Sequence, residues 1–240
     1  MKSDNMRFYS AMLMAGCGLH AAAQTQRPNI VFIITDDHSF QTISAYGSEV
    51  SKLAPTPNID RLANEGARFD DAFVENSLST PARACLLTGL YSHQNGQRTL
   101  GKGIDSTKTF VSELLQDAGY QTGVVGKWHM QCRPKGFDFF RIFEGQGDYY
   151  NPLVLSHDSN GKYEREQGYA TDIVTEHAVE FLNQRDEQKP FFLLVEHKAP
   201  HRTSMPNLNY LGLYDKVEPP LPTTFWHDYA TRGTCASQQA

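Results

Sequence analysis

The sequence predicts an α/β fold, a mostly parallel central sheet flanked by helices on both faces. Three observations predict it. Continuous apolar runs of strand length recur along the chain, as strands covered on both faces require. Segments of helical periodicity alternate with those runs. Residues capable of chemistry cluster just after the runs, where open α/β sheets place their ligands.

The first run, residues 29–35 (Asn-Ile-Val-Phe-Ile-Ile-Thr), reads as a central strand buried on both faces, with Asp36 and Asp37 at its carboxyl end. Thr56 and Pro57 open a helix that carries Ile59, Leu62 and Ala63 and stops at Gly66. A second helix spans 81–88, from Pro81 to the stop at Gly89, and a third spans 110–118 before Gly119. Residues 121–126 (Gln-Thr-Gly-Val-Val-Gly) form a short buried strand. Residues 171–184 form an amphipathic helix with Val174, Ala178, Phe181 and Leu182 on one face. Residues 191–195 form a third apolar strand. No repeat or Gly/Ser/Pro-rich linker divides residues 24–240, and the last ten residues read as a chain that ends mid-structure.

The 240-residue chain is 40% hydrophobic, enough for one sizeable core. Its net charge of −5 argues against a nucleic-acid surface. Four cysteines, Cys17, Cys85, Cys132 and Cys235, show no paired spacing, so neither a disulfide framework nor a zinc site is expected. Residues 1–23 have the form of an export signal: Lys2 and Arg7, an apolar stretch, then Ala21-Ala22-Ala23. The expected location is periplasmic. The alternative is a lipid anchor through Cys17, since Leu13-Met14-Ala15-Gly16-Cys17 is similar to a lipoprotein box.

The candidate site starts at Ser79-Thr80-Pro81-Ala82-Arg83. It places a small hydroxyl at a helix opening, where unpaired N–H groups and the dipole favour an anion, with an arginine one turn on. An N-cap is the structural alternative for Ser79. Two adjacent carboxylates, Asp36 and Asp37, suit a hard cation such as calcium; a solvated turn is their alternative. Lys127 and His129 follow one strand, and His197 and His201 follow another. The two histidines are four apart, but Pro200 argues against a helical zinc pair.

Ser79-Thr80-Pro81-Ala82-Arg83 with Ala84-Cys85-Leu86-Leu87-Thr88-Gly89 resembles the type I sulfatase motif (C or S)-x-P-x-R and its continuation. Thr56-Pro57-Asn58-Ile59-Asp60-Arg61-Leu62-Ala63, Gly126-Lys127-Trp128-His129 and His197-Lys198-Ala199-Pro200-His201 are similar to further elements of that family, part of the alkaline-phosphatase-like superfamily. The resemblance implies that Ser79 is oxidised to formylglycine (3-oxoalanine), whose gem-diol attacks sulfur, and that Asp36, Asp37 and the modified Ser79 bind Ca2+. It further implies that Arg83 holds the modified residue, Lys127 contacts the sulfate, His129 orients the diol, and His201 protonates the leaving alcohol. Serine instead of cysteine at 79 implies a radical, iron–sulfur maturing enzyme as partner. The family's later segment, with more calcium ligands and a second lysine, has no counterpart. Asp158-Ser159-Asn160-Gly161 reads as a hairpin turn instead. The chain is therefore expected to be the N-terminal portion of a sulfatase catalytic domain.

Gly145-Gln146-Gly147-Asp148-Tyr149-Tyr150-Asn151-Pro152, Gly168-Tyr169-Ala170-Thr171-Asp172 and Lys198-Ala199-Pro200-His201-Arg202 resemble segments of N-acetylglucosamine-6-sulfatases. That implies a sulfated glycan substrate, 6-O-sulfated glucosamine of heparan-type chains, with Gln146 and Asn151 as sugar contacts or as loop packing. Two other readings stay open: a phosphatase or phosphodiesterase of the same superfamily using unmodified Ser79, and an inactive truncated fragment.

Overall fold

The computed structural model describes residues 27–228 and Gly233. The export segment with Cys17, and Cys235, lie outside the described residues. Six strands form one sheet: β1 (Ile30–Asp36), β2 (Gln121–Gly126), β3 (Phe139–Phe143), β4 (Leu153–Ser156), β5 (Tyr163–Arg165) and β6 (Phe191–Pro200). Their order across the sheet is β1-β6-β2-β3-β4-β5. The first four in that order run parallel, and β4 and β5 close the far side as antiparallel neighbours. The turn between β4 and β5 contains Asp158 to Gly161, as the sequence predicts.

Alternation along the parallel strands builds two cores. Phe192 and Leu194 of β6 and Val124 of β2 face one way. There they meet Ala84 and Leu87 of helix α2 (Ser79–Thr88) and Phe110 and Leu115 around helix α4 (Val111–Asp117). Phe191, Leu193 and Val195 of β6 and Val125 of β2 face the other way, onto Ile173, Val174 and Phe181 of helix α5 (Ala170–Gln184). Helices therefore cover both faces, and each buried large side chain contributes about 2 kcal/mol to holding the layers together. Helix α3 (Ser92–Asn95) packs on α2, and helix α1 (Pro57–Glu65) packs on the 3-10 turn Ser44–Tyr46.

The expectation for the first strand needs correction. β1 is not a central strand but an edge of the described sheet, paired only with β6. Val31 and Ile33 are 49% and 56% exposed. An apolar run states what a strand is able to bury; what it does bury depends on the elements present to cover it. Among the described residues no strand pairs with the outer edge of β1.

β6 is longer than its apolar run, continuing through Glu196, His197 and Lys198 to Pro200. Both neighbours pair with it as far as Glu196, and beyond that β1 alone carries the pairing on, with Asp36 opposite Pro200. The register with β1 shifts between Ile34 and Asp36, so Asp36 comes opposite Pro200. That shift is a local bulge, a device that re-aims side chains beside active sites.

Candidate active site

Parallel pairing brings three strand ends to one edge: Asp36 from β1, Lys127 just after β2, and Glu196 to His201 from β6. Gly126, before Lys127, has φ of +97°, and a Cβ there would run into the Glu196 carbonyl. Only glycine lets β2 and β6 approach so closely, and the Lys127 N–H then donates to that same carbonyl at 2.7 Å.

Helix α2 supplies the next two groups. Its N-cap is Leu78, so Ser79 is the first helical residue and does not act as the cap. Ahead of it, Asn76 Oδ1 accepts the Leu78 N–H at 3.0 Å. The Thr80 hydroxyl donates to the His129 carbonyl at 3.0 Å, which ties the helix start to the segment after β2. One turn on, Arg83 folds back and donates through Nε to Ser79 Oγ at 3.3 Å.

Arg83 is buried and its fork has two more partners. Nη1 donates to Glu196 Oε1 at 2.7 Å, and Nη2 lies 3.6 Å from Asp36 Oδ2. Lys127, fully buried, ion-pairs with that same Asp36 oxygen. Two cations and two carboxylates thus neutralise one another out of water, the condition under which buried charge is tolerated. Burial pushes the Lys127 ammonium below its ordinary value, against the pull of Asp36. Burial also pushes the Glu196 carboxyl up to about 7, against the pull of Arg83. Its second oxygen, Oε2, has no hydrogen-bond partner.

His129 faces Ser79 from the other side, Nδ1 to Oγ at 3.3 Å. Burial, reinforced by the Lys127 and Arg83 charges, pushes its pKa down to about 4, so the ring is neutral at pH 7 and able to accept a proton. His129 and Asp37 both sit at positive φ, +50° and +62°. Non-glycine residues in that region are uncommon and gather at functional sites.

His201 Nδ1–H donates to the Arg202 carbonyl at 2.5 Å, and Nε2 lies 3.8 Å from Asp37 Oδ2. The carboxylate of Asp37 is 61% exposed. The structure thus connects Asp36, Ser79, Arg83, Lys127 and His129 through direct contacts and pairs Asp37 with His201. His197 lies inside β6, with Nδ1 buried and unpartnered.

The two residues considered for sugar contact are placed differently. Asn151 joins two loops: its Oδ1 accepts the Gly168 N–H at 2.9 Å and its own N–H donates to the Gly168 carbonyl at 2.8 Å. Gln146 offers its main-chain carbonyl to Lys198 Nζ at 3.3 Å, while its side-chain oxygen is buried without a partner. Sequence reasoning did not single out Glu196 or Lys198. The signal was there, an acid and a base at the end of a continuous apolar run, where charge is retained only for a partner.

The match to known families agrees with this geometry. Residues 28–238 match the family model described as Sulfatase. The chain belongs to the sulfatase family. It is 44% identical over 233 residues to N-acetylglucosamine-6-O-sulfatase of Bacteroides thetaiotaomicron, covering 96% of this chain and 41% of that protein. It is 29% identical to human N-acetylgalactosamine-6-sulfatase, covering 81% and 44% respectively. The solved structure of BT4656 in complex with its substrate D-glucosamine-2-N,6-O-disulfate superposes with a TM-score of 0.84 at 46% identity, covering 89% of this chain and 43% of that one. The chain thus spans about two-fifths of the length of these relatives. A phosphonate monoester hydrolase of Agrobacterium radiobacter, at 20% identity and a TM-score of 0.52, shares the fold.

Proposed function

We propose that this chain carries the nucleophile-bearing part of a glycan sulfatase that removes 6-O-sulfate from N-acetylglucosamine units of heparan-type chains. The observation that carries the reading is Ser79 Oγ at the start of α2, met at once by Arg83 Nε and His129 Nδ1. A surface N-cap serine has no use for a buried guanidinium on one side and a neutral imidazole on the other. The 44% identical relative named as an N-acetylglucosamine-6-O-sulfatase supports the substrate class.

In this reading Asp36, Asp37 and the side-chain oxygen at 79 would supply oxygen ligands to calcium. The Asp37 carboxylate is exposed, Asp36 is engaged by Lys127 and Arg83, and among the described residues no three acidic, histidine or cysteine side chains are gathered for a metal. When bound, calcium would supply positive charge to the sulfate oxygens and acidify an adjacent hydroxyl. Ser79 oxidised to formylglycine would supply the hydrated nucleophile, after maturation by a radical iron–sulfur enzyme. Around it, Arg83 fixes the side chain at 79 and balances Asp36. His129, neutral, accepts a proton from the hydroxyl facing it. Lys127, buried and paired with Asp36, would supply a cation to the sulfate, and His201 presents Nε2 to the leaving oxygen. Residues 1–23 would export the chain to the periplasm, or anchor it through Cys17.

Co-expression with a radical sulfatase-maturing enzyme tests the reading. The Ser79 peptide should lose the mass of a hydrogen molecule, and any release of sulfate from N-acetylglucosamine-6-sulfate by this chain should be slow and calcium-dependent. An unmodified Ser79 together with turnover of 4-nitrophenyl phosphate would establish the phosphatase alternative instead.

A further inference from the structure

The segment that carries His201 is held from outside by three tyrosines. The Tyr149 hydroxyl donates to the carbonyl of His201 itself at 2.5 Å. Tyr169 donates to the Met205 carbonyl at 2.9 Å. Tyr150 donates to the Pro206 carbonyl at 2.8 Å and accepts the Leu208 N–H at 3.0 Å. The rings pack together, Tyr149 on Tyr169 with centroids 6.1 Å apart and Tyr150 on Tyr169 at 5.2 Å. The loops bearing them are joined through Asn151 and Gly168, and by the Ala170 N–H donating to the Tyr149 carbonyl at 2.8 Å.

The segment has few bonds of its own. The described ones are His201 N–H to the Lys198 carbonyl at 3.0 Å, His201 Nδ1–H to the Arg202 carbonyl at 2.5 Å and the Ser204 hydroxyl to the Pro200 carbonyl at 2.9 Å. Residues 202–206 are exposed. From outside, their course is set by the tyrosines together with Asn207, whose Nδ2–H donates to Asp172 Oδ2 at 3.0 Å. Tyr149 is 4% exposed, and burial pushes its hydroxyl up to about 12, so it remains a donor wherever a histidine works.

We propose that Tyr149 is a positioning residue for His201, its hydroxyl fixing the peptide from which Nε2 reaches the leaving oxygen, with Tyr150 and Tyr169 fixing the segment beyond. The proposal rests on the reading of His201 as the general acid. It gives the two tyrosine-bearing loops a role in aiming the acid. Lys198, with Nζ 4.9 Å from the centre of the Tyr149 ring, braces the ring from the β6 side.

A group that acts only through the acid has a distinctive kinetic effect. A sugar alkoxide is a poor leaving group and needs the proton; a nitrophenolate leaves without it. Displacing the acid by a fraction of an ångström should therefore lower turnover of N-acetylglucosamine-6-sulfate by about tenfold to a hundredfold. Turnover of 4-nitrophenyl sulfate should change by less than about threefold. The test uses the matured chain as wild type, His201→Ala, Tyr149→Phe and Tyr169→Phe on both substrates, with hydrogen exchange of residues 201–208 alongside. Selective loss on the sugar ester in all three variants, with faster exchange confined to 201–208 in the two tyrosine variants, is the expected result. If His201→Ala shows no selectivity, the acid assignment is wrong and the proposal falls with it. If His201→Ala is selective while both tyrosine variants lose the two activities equally, or neither, Tyr149 does not aim the acid. The exchange measurement decides even where turnover is too slow to compare, since unchanged exchange at 201–208 in both tyrosine variants overturns the clamp. Tyr169→Phe removes the Met205 bond and the hydroxyl's contact with Thr171 but leaves the Tyr149 bond in place, so the test stands if Tyr149→Phe fails to fold.

Discussion

Glu196 should make this protein lose stability as pH rises through neutrality, and Glu196→Gln should abolish that loss. The carboxyl is 2% exposed and hydrogen-bonded through one oxygen only. Burial raises it from an ordinary 4.5 to about 7. The unfolded chain thus releases this proton at lower pH than the folded one. Between those values the unfolded state binds fewer protons, so stability is full below about pH 4.5 and declines as pH climbs through 7. The interval corresponds to about 3 kcal/mol. His129 works in the opposite sense: pushed down to about 4 from 6.5, it adds stability above 6.5 that is lost as pH falls through 4. It is present in both proteins, so the difference between them isolates Glu196. Urea unfolding followed by circular dichroism across this range should show Glu196→Gln gaining about 3 kcal/mol on wild type from the acid end to the alkaline end. A difference that stays flat to within about 1 kcal/mol would refute the reasoning, because a buried carboxyl that ionises at its ordinary pH cannot produce a slope.

Two further outcomes are expected. Gly126→Ala should destabilise the chain by about 3 kcal/mol or more in the same urea assay, since it adds the strain of a positive φ to a collision with the Glu196 backbone; a loss below about 1 kcal/mol would show that β2 and β6 separate easily. Calcium at a hundred times its dissociation constant should stabilise the folded chain by about 2.7 kcal/mol, read as a rise in melting temperature, and Asp37→Asn should remove most of that rise; an equal rise in both proteins would place the ion elsewhere.

The sequence signals differed in what they made legible. β2 was readable to the residue because Gly126 closes it and its apolar residues are covered on both faces. The end of β6 was hidden, since Glu196-His197-Lys198 reads as polar punctuation while β1 alone holds the strand's end in the sheet, through Asp36 opposite Pro200. β3 lies within a run with no helical or alternating period, and its pairing with β4 comes from tertiary contact rather than from local pattern. The position of β1 in the sheet was misjudged because hydropathy cannot tell how many neighbours a strand has. The site fared better: the spacing of Ser79 and Arg83 along a helix forces them together. Glu196 went unnoticed because its partner Arg83 is 113 positions away.

The three strand tips that hold Asp36, Lys127 and Glu196 are neighbours in one ladder, with β6 in the middle. Their separation is inherited from the spacing between parallel strands, about 4.8 Å per step. The excursions joining those strands run from residue 37 to 120 and from 127 to 190, and away from Asp37, α2 and the Lys127–His129 segment they are free to grow, shrink or be redecorated. New specificity can thus be added in the connecting segments while the distance between the reacting charges stays constant.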